Sequence, residues 1–302
     1  MSAQPTPSPA PASGLALALR LGRVSNLPTV WTNALVGAAL AGGTLAPGVL
    51  APLLIAMSLF YVGGMYLNDA FDRDIDAVER PERPIPSGQV GAATVFAAGF
   101  GFMAAGALLL AGAAMNAGHG AWPAAVASAI ALGGAIVAYD SNHKGSAFAP
   151  LVMALCRALV YVTAALTATG QVGPAVGGAA VALFCYTAGL TYVASRENLS
   201  EVGNLWPLAI FAVPFVYCAR TITQDASAAA TWVLLVAWCA WALSFVTIRA
   251  NRFVPGAVVR LIAGISLLDA ALLASHDHPG AAALAVAALP LTRLLQRFVP
   301  GT

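Results

Sequence analysis

The sequence predicts an all-α membrane protein: a polytopic bundle of nine or ten transmembrane helices around a central cavity that faces the cytoplasm. Three observations predict it. Of 302 residues, 60% are hydrophobic and only 9% are charged, where a soluble domain carries about 25% charged residues. The apolar residues fall into ten runs near spanning length, about 20 residues each. The bases gather on alternate loops. This balance excludes a soluble globular protein, a disordered chain and a nucleic-acid binder, because too few charges exist to cover a water-facing surface.

Residues 1–14, rich in Pro, Ser and Ala, read as a disordered tail, and residues 15–300 as a single membrane domain. No basic stretch precedes a short apolar segment at the start, so no cleavable signal peptide is expected. The runs lie near 28–46, 50–67, 90–112, 121–140, 147–169, 174–194, 204–222, 228–248, 256–275 and 279–297. Their many small residues, including much of the chain's 29 Gly, suit closely packed membrane helices. Cys156, Cys185, Cys218 and Cys239 lie far apart inside apolar runs, and read as buried thiols rather than a disulfide or zinc framework.

Ten spans place loops alternately on two sides. Of the 14 Lys and Arg, only Arg220 falls on the side away from the N-terminus; Arg157 and Arg260 lie within spans. Lys and Arg collect in cytoplasmic loops, so the N-terminal side is read as cytoplasmic. All acidic residues except Asp225, Asp269 and Asp277 lie on that same side. Topology does not require this of acids, so a polar site is expected there.

The segment from Asn68 to Gly88 leaves the second run. Asn68, Asp72 and Asp76 repeat at i, i+4 and i+8. If the helix continues, their side chains stack on one face. Two carboxylates and an amide oxygen are hard ligands that suit Mg²⁺ together with water and phosphate oxygens. Arg80 and Arg83 follow, spaced by prolines, and guanidinium groups bind phosphate in a bidentate fashion. Carboxylates for metal beside arginines for phosphate read as a diphosphate site. The plainer alternative is a solvated acidic loop neutralised by its own arginines.

N-x-x-x-D-x-x-x-D followed by R-P-x-R-P-I-P-S-G resembles the first signature of the UbiA superfamily of intramembrane prenyltransferases. The resemblance covers roughly residues 15–275. It implies a helical bundle that binds a prenyl diphosphate through Mg²⁺ in a cytoplasmic-side cavity and transfers the prenyl group to an acceptor. The second signature of the family is usually D-x-x-x-D after the sixth span. Here Arg196-Glu197 and, four residues on, Glu201 occupy that place. The resemblance implies a second metal half-site at Glu197 and Glu201, with Arg196 beside the diphosphate; the departure is Glu for Asp. With the Gly-Leu-Thr-Tyr-Val-Ala-Ser-Arg-Glu run before it, this departure sets the chain apart from the quinone branches. It is similar instead to the EboC-like branch, whose acceptor need not be aromatic.

The same resemblance implies that Arg23, Asn26 and Asn33, the two asparagines seven residues apart, line an acceptor pocket. Helix capping and helix packing are the alternatives. Tyr139 and Lys144 close the fourth run; the family often carries Tyr and Lys here, which makes Lys144 a phosphate ligand and places Tyr139 by the acceptor. Asp140 is either an ion-pair partner of Lys144 or a base facing the acceptor. Arg157 lies about ten residues into the fifth run. A charge at that depth is costly and usually functional or paired; phosphate and a carboxylate are both open as partners. Asp269 is similar in kind, with the distant Arg260 as a possible partner. Phe71, Tyr66 or Tyr139 would shield an allylic cation, and Asp76 or Asp140 would take the acceptor's proton.

The expected partners are a prenyl diphosphate donor, an acceptor the sequence does not name, and the lipid bilayer. A transporter or channel is the rival, since Gly-rich helices with intramembrane Arg157 and Asp269 occur there too. Such a protein should carry its polar site at mid-membrane, whereas here the acids cluster at one end. The D-G-x-x-A-R run of CDP-alcohol phosphotransferases is absent.

Overall fold

A computed structural model describes residues 14–43, 45–144, 146–195, 206–248 and 252–301. Every regular element among them is helical. After a short α1 (Gly14–Leu21) and a 3₁₀ turn at Val24–Asn26 come α2 (Leu27–Leu40), α3 (Pro47–Phe71), α4 (Arg73–Glu79), α5 (Ala92–Asn116) and α6 (Trp122–Asn142). Then follow α7 (Ala149–Thr169), α8 (Pro174–Ala194), a 3₁₀ segment at Trp206–Phe211, α9 (Ala212–Ala219), α10 (Ala226–Thr247), α11 (Val254–Ala274) and α12 (Pro279–Leu295).

Each predicted apolar run falls on helix, but seven helices among the described residues are long and apolar enough to cross a membrane: α3, α5, α6, α7, α8, α10 and α11. The other three runs give shorter helices. α2 spans 14 residues and α12 spans 17. The seventh run is split into a 3₁₀ segment and the eight-residue α9, in a stretch where Pro207 and Pro214 lack the N–H groups a continuous helix needs. Prolines open several of the long helices, where no N–H is required.

Small residues set the helix contacts. α3 lies along α5, and a Cβ at Gly63 would stand 2.8 Å from the carbonyl oxygen of Gly99. α2 crosses α7 with Gly37 against the backbone of Tyr161. Apolar clusters on both sides of the molecule draw on α2 and α7, so this pair joins the two parts of the bundle. α11 is the innermost helix, 83% buried over its apolar window, where α5, α6 and α10 are 28% buried and turn most of their surface outward. All four cysteines are free.

Candidate active site

α3 ends where the acid-rich segment begins. Asp72 forms the junction with α4 and keeps αR dihedrals. The backbone bonds Asp72 N–H to Asn68 C=O (3.0 Å) and Asp76 N–H to Asp72 C=O (2.8 Å) carry the helical register across it. Asn68, Asp69, Asp72 and Asp76 are all buried.

A cavity of about 340 Å³ opens between α2, α3, α6, α7, α8 and α11. Along α3 its lining is Met57, Phe60, Tyr61, Gly64, Met65, Asn68 and Asp72, the i, i+3, i+4 stripe of one helical face. Tyr66 and Phe71 fall off that stripe. Contrary to the expectation that they shield a cation, Tyr66 packs edge-on against Phe102 and Phe71 against Phe96. The aromatic rings that line the cavity are Phe60, Tyr61 and Tyr139.

The polar end of the cavity gathers groups from distant parts of the chain. Asn68 donates to Asp140 Oδ1 at 3.3 Å. Lys144 Nζ stands 3.8 Å from Asp72 Oδ2 and 3.8 Å from Glu79 Oε2. The alternative reading, a Lys144–Asp140 ion pair, is not realised: α6 ends at Asn142 and Lys144 turns toward Asp72 and Glu79. His143 Nε2 lies 3.5 Å from Asp72, its ring stacked on Tyr139 at 4.9 Å. Burial works against a charged His143, yet the hydrogen bond and charge of Asp72, with help from Asp140, raise its pKa above the ordinary 6.5. Arg80 and Arg83 reach the same end.

Asp76 lies beyond the cavity and is paired with Arg83 at 2.6 Å. Asp69 holds Arg23 at 3.0 Å and Arg83 at 3.5 Å, in a neighbouring recess of about 370 Å³ bounded also by Arg20, Arg80 and Glu82. Asn26 lines the cavity, but its amide is held by the Gly301 carbonyl (2.9 Å), Gln296 (3.0 Å) and Tyr61 (3.3 Å).

Further in, Arg157 lines the cavity and donates to Asn33 Oδ1 at 3.0 Å, so its partner is an amide and not a carboxylate. Asn33 sits behind it and donates to both oxygens of Asp269, at 3.1 and 2.8 Å. The Tyr161 hydroxyl also donates to Asp269. Arg260 is no partner of Asp269: it donates to the Gly256 carbonyl at 2.7 Å and stacks over Trp241 and Phe245.

Sequence reasoning missed Asp69, His143 and Tyr61. Asp69 adjoins Asn68 and so points off the i, i+4 stripe. Tyr61 lies on that stripe seven residues before Asn68, and His143 three residues after Asp140, but neither residue type by itself signals a metal or diphosphate site. Arg196, Glu197 and Glu201 lie outside the described residues.

Two buried carboxylate oxygens have no hydrogen-bond partner among the described residues, Asp76 Oδ1 and Asp140 Oδ2. Such orphans are costly and are hard donors of the kind a divalent cation takes. Among the described residues no three His, Cys, Asp or Glu side chains close on one point. Mg²⁺ does not require that, since it keeps several waters and uses one or two carboxylates beside substrate phosphates. The residues present therefore fit Mg²⁺.

The comparisons agree with this architecture. Digeranylgeranylglyceryl phosphate synthase of Natronomonas pharaonis is 37% identical over 149 residues, 47% of this chain and 46% of that protein. The enzyme of the same name from Ignicoccus hospitalis is 51% identical over 47 residues, 16% of each chain. The chain thus matches about half the length, or less, of these curated relatives. A solved structure, from work on structural and mechanistic insights into the biosynthesis of digeranylgeranylglyceryl phosphate synthase in membranes, aligns over 94% of this chain and 95% of that one. Its TM-score is 0.51 at 16% identity, a likeness of fold alone. The seven apolar helices and this fold make the chain a multi-pass membrane protein. A family profile described as the UbiA prenyltransferase family matches residues 30–203, more than half of the sequence, and the chain belongs to that family.

Proposed function

We propose that the protein transfers a prenyl group from a prenyl diphosphate to a lipid-type acceptor, releasing pyrophosphate, with its polar end on the cytoplasmic side. One observation carries this reading. Asn68, Asp72, Asp140, Lys144, Arg80 and Arg83 meet at one end of a cavity whose remaining walls are mainly apolar. A diphosphate belongs at such an end and an isoprenoid tail along such walls.

Asn68 and Asp72 would hold Mg²⁺, with Glu197, Glu201 and the Oδ1 of Asp76, which Arg83 leaves unpaired, as further oxygen donors. Bound there, Mg²⁺ would neutralise the charge that builds on the leaving diphosphate. Lys144, Arg80 and Arg83 add fixed positive charge at the same place, preorganised before the reaction begins. The allylic C–O bond breaks with its electron pair on the diphosphate, and Tyr139 and Tyr61 offer ring faces to the cation. The acceptor's oxygen or carbon then bonds to the allylic carbon, and its proton passes to Asp140. The names of the curated relatives favour an acceptor of glyceryl phosphate type. The tie between α2, α7 and α11 at Asn33, Tyr161 and Asp269 supports a closed pocket over a transport path.

The test is pyrophosphate release from geranylgeranyl diphosphate by purified protein in detergent, with Mg²⁺ or EDTA and a membrane-lipid extract. The expected result is release that requires Mg²⁺ and is lost in Asp72→Ala. Folded wild-type protein that neither binds nor cleaves the diphosphate overturns the reading.

A further inference from the structure

The cavity has a second cationic group that the diphosphate chemistry above does not use. Arg157 is eight residues into α7, about 12 Å along the helix from its polar-end start at 1.5 Å per residue. Its guanidinium meets only neutral groups: Asn33 Oδ1 at 3.0 Å, Thr29 Oγ1 at 3.5 Å and the face of Tyr61 at 5.8 Å. Among the described residues no carboxylate stands within ion-pair distance of it. A charge held at membrane depth with no carboxylate in contact is expensive; Asp269 stands one amide away, behind Asn33. Here it faces the cavity.

Behind the guanidinium lie Asn33, Tyr161 and Asp269, none of which lines the cavity; of the three, Asn33 touches Arg157. Asp269, wholly buried on α11, accepts both contacts from the Asn33 amide nitrogen and one from the Tyr161 hydroxyl. A carboxylate only accepts and a guanidinium only donates. The Asn33 side chain therefore has one workable orientation, nitrogen toward Asp269 and oxygen toward Arg157. Asp269 fixes the amide, and the amide aims the arginine.

We propose that Arg157 receives the acid group of the acceptor, a carboxylate or a phosphate monoester, at the inner end of the cavity, and that Asp269 is a positioning residue acting through Asn33. The proposal rests on the prenyl-transfer reading. It gives the cavity two anion receptors with different surroundings. The polar end mixes bases with carboxylates and suits a metal-bound diphosphate. The inner end offers one guanidinium over an aromatic ring and suits a single acid group. An acceptor anchored there has its reactive atom directed toward the polar end, where the allylic carbon is released.

The test measures binding to the full chain in detergent without donor, so that it stands apart from catalysis. The acid probes are 4-hydroxybenzoate, for a small acid, and geranylgeranylglyceryl phosphate, for a lipid head group. Their neutral controls are methyl 4-hydroxybenzoate and geranylgeranylglycerol. At least one acid probe should bind more tightly than its control, and which one identifies the source of the anion. Arg157→Gln should weaken that probe at least tenfold, Arg157→Lys should restore part of the loss, and Asp269→Asn should weaken it about threefold to tenfold. The neutral controls should change less than twofold. In Asp269→Asn, which keeps the side-chain shape, the affinity for geranylgeranyl diphosphate with Mg²⁺ should stay within twofold, so that acceptor KM rises ahead of any loss in kcat. Acid probes that bind wild-type protein no better than their controls overturn the proposal. So does a matching loss of diphosphate affinity in Arg157→Gln and Asp269→Asn, which would place Arg157 on the donor. If wild-type protein binds an acid probe through Arg157 but no prenyl diphosphate, the prenyl-transfer reading fails while the acid-binding site stands.

Discussion

Asn68 and Asp140, separated by 72 positions in the chain, meet across α3 and α6, the Asn68 amide donating to Asp140 Oδ1 at 3.3 Å. The bond leaves the other oxygen of Asp140 without a partner among the described residues. Asp140 thereby has one oxygen for orientation and one for chemistry. In Asp140→Asn the shape is kept and the base is lost. Its kcat should fall by about 10²–10⁴-fold, the usual contribution of a positioned general base, while prenyl diphosphate binding changes little. Single-turnover product formation at the wild-type rate would remove Asp140 from the proton-transfer step.

Arg83 and Asp76 make a close ion pair at 2.6 Å, with the Asp76 side chain 2% exposed. Arg83→Ala leaves that carboxylate buried without its base. Removing one partner of a buried pair costs about 3–5 kcal/mol, and the lower end is expected here because the Arg83 side chain is 17% exposed. Thermal unfolding in detergent should show a loss of several degrees. The double variant Arg83→Ala, Asp76→Asn should recover part of it.

Two glycines should behave oppositely. Gly63 sits where α3 meets α5, and a Cβ there would lie 2.8 Å from the Gly99 carbonyl oxygen and 2.9 Å from Met103. Gly63→Ala should destabilise by about 1–3 kcal/mol, as overpacking does. At Gly101, also on α5, a Cβ meets nothing within 4 Å. Gly101→Ala should be neutral or stabilising, since Gly costs a helix up to about 1 kcal/mol relative to Ala. Melting curves of the two variants should shift in opposite directions or differ clearly in size.

Asp225 caps α10. Its side chain accepts from the Ser227 hydroxyl and from the Ala228 N–H, and these bonds hold its pKa below the ordinary 3.8. A depressed carboxylate pKa contributes stability that is present above the unfolded value and is lost as pH falls through the folded one. Asp225→Ala should therefore melt below wild type at neutral pH. The gap should close below about pH 3.8, the ordinary value. A gap that stays constant to lower pH would assign the effect to packing instead of the cap.

The sequence by itself determined the class of molecule and one end of its site. Sparse charge and spanning-length apolar runs require membrane helices, whatever their arrangement. The acids and arginines from Asn68 to Arg83 stand close along the chain, so local spacing brings Asn68, Asp72 and Arg83 to one end of the bundle without help from distant contacts. Asp76 shows the limit of that reasoning: it keeps the helical register, yet Arg83 draws it away from the cavity. Only the tertiary structure decided the rest. Hydropathy does not distinguish a lipid-facing helix from a protein-facing one, because lipid tails and Leu side chains are equally apolar. The central place of α11 was invisible for that reason. The same holds for Arg157, Asn33 and Asp269, which lie on α7, α2 and α11, with Asn33 and Asp269 236 positions apart. A buried polar group must find its hydrogen bonds inside the protein, but the partner is named by the packing of helices, not by any spacing along the chain.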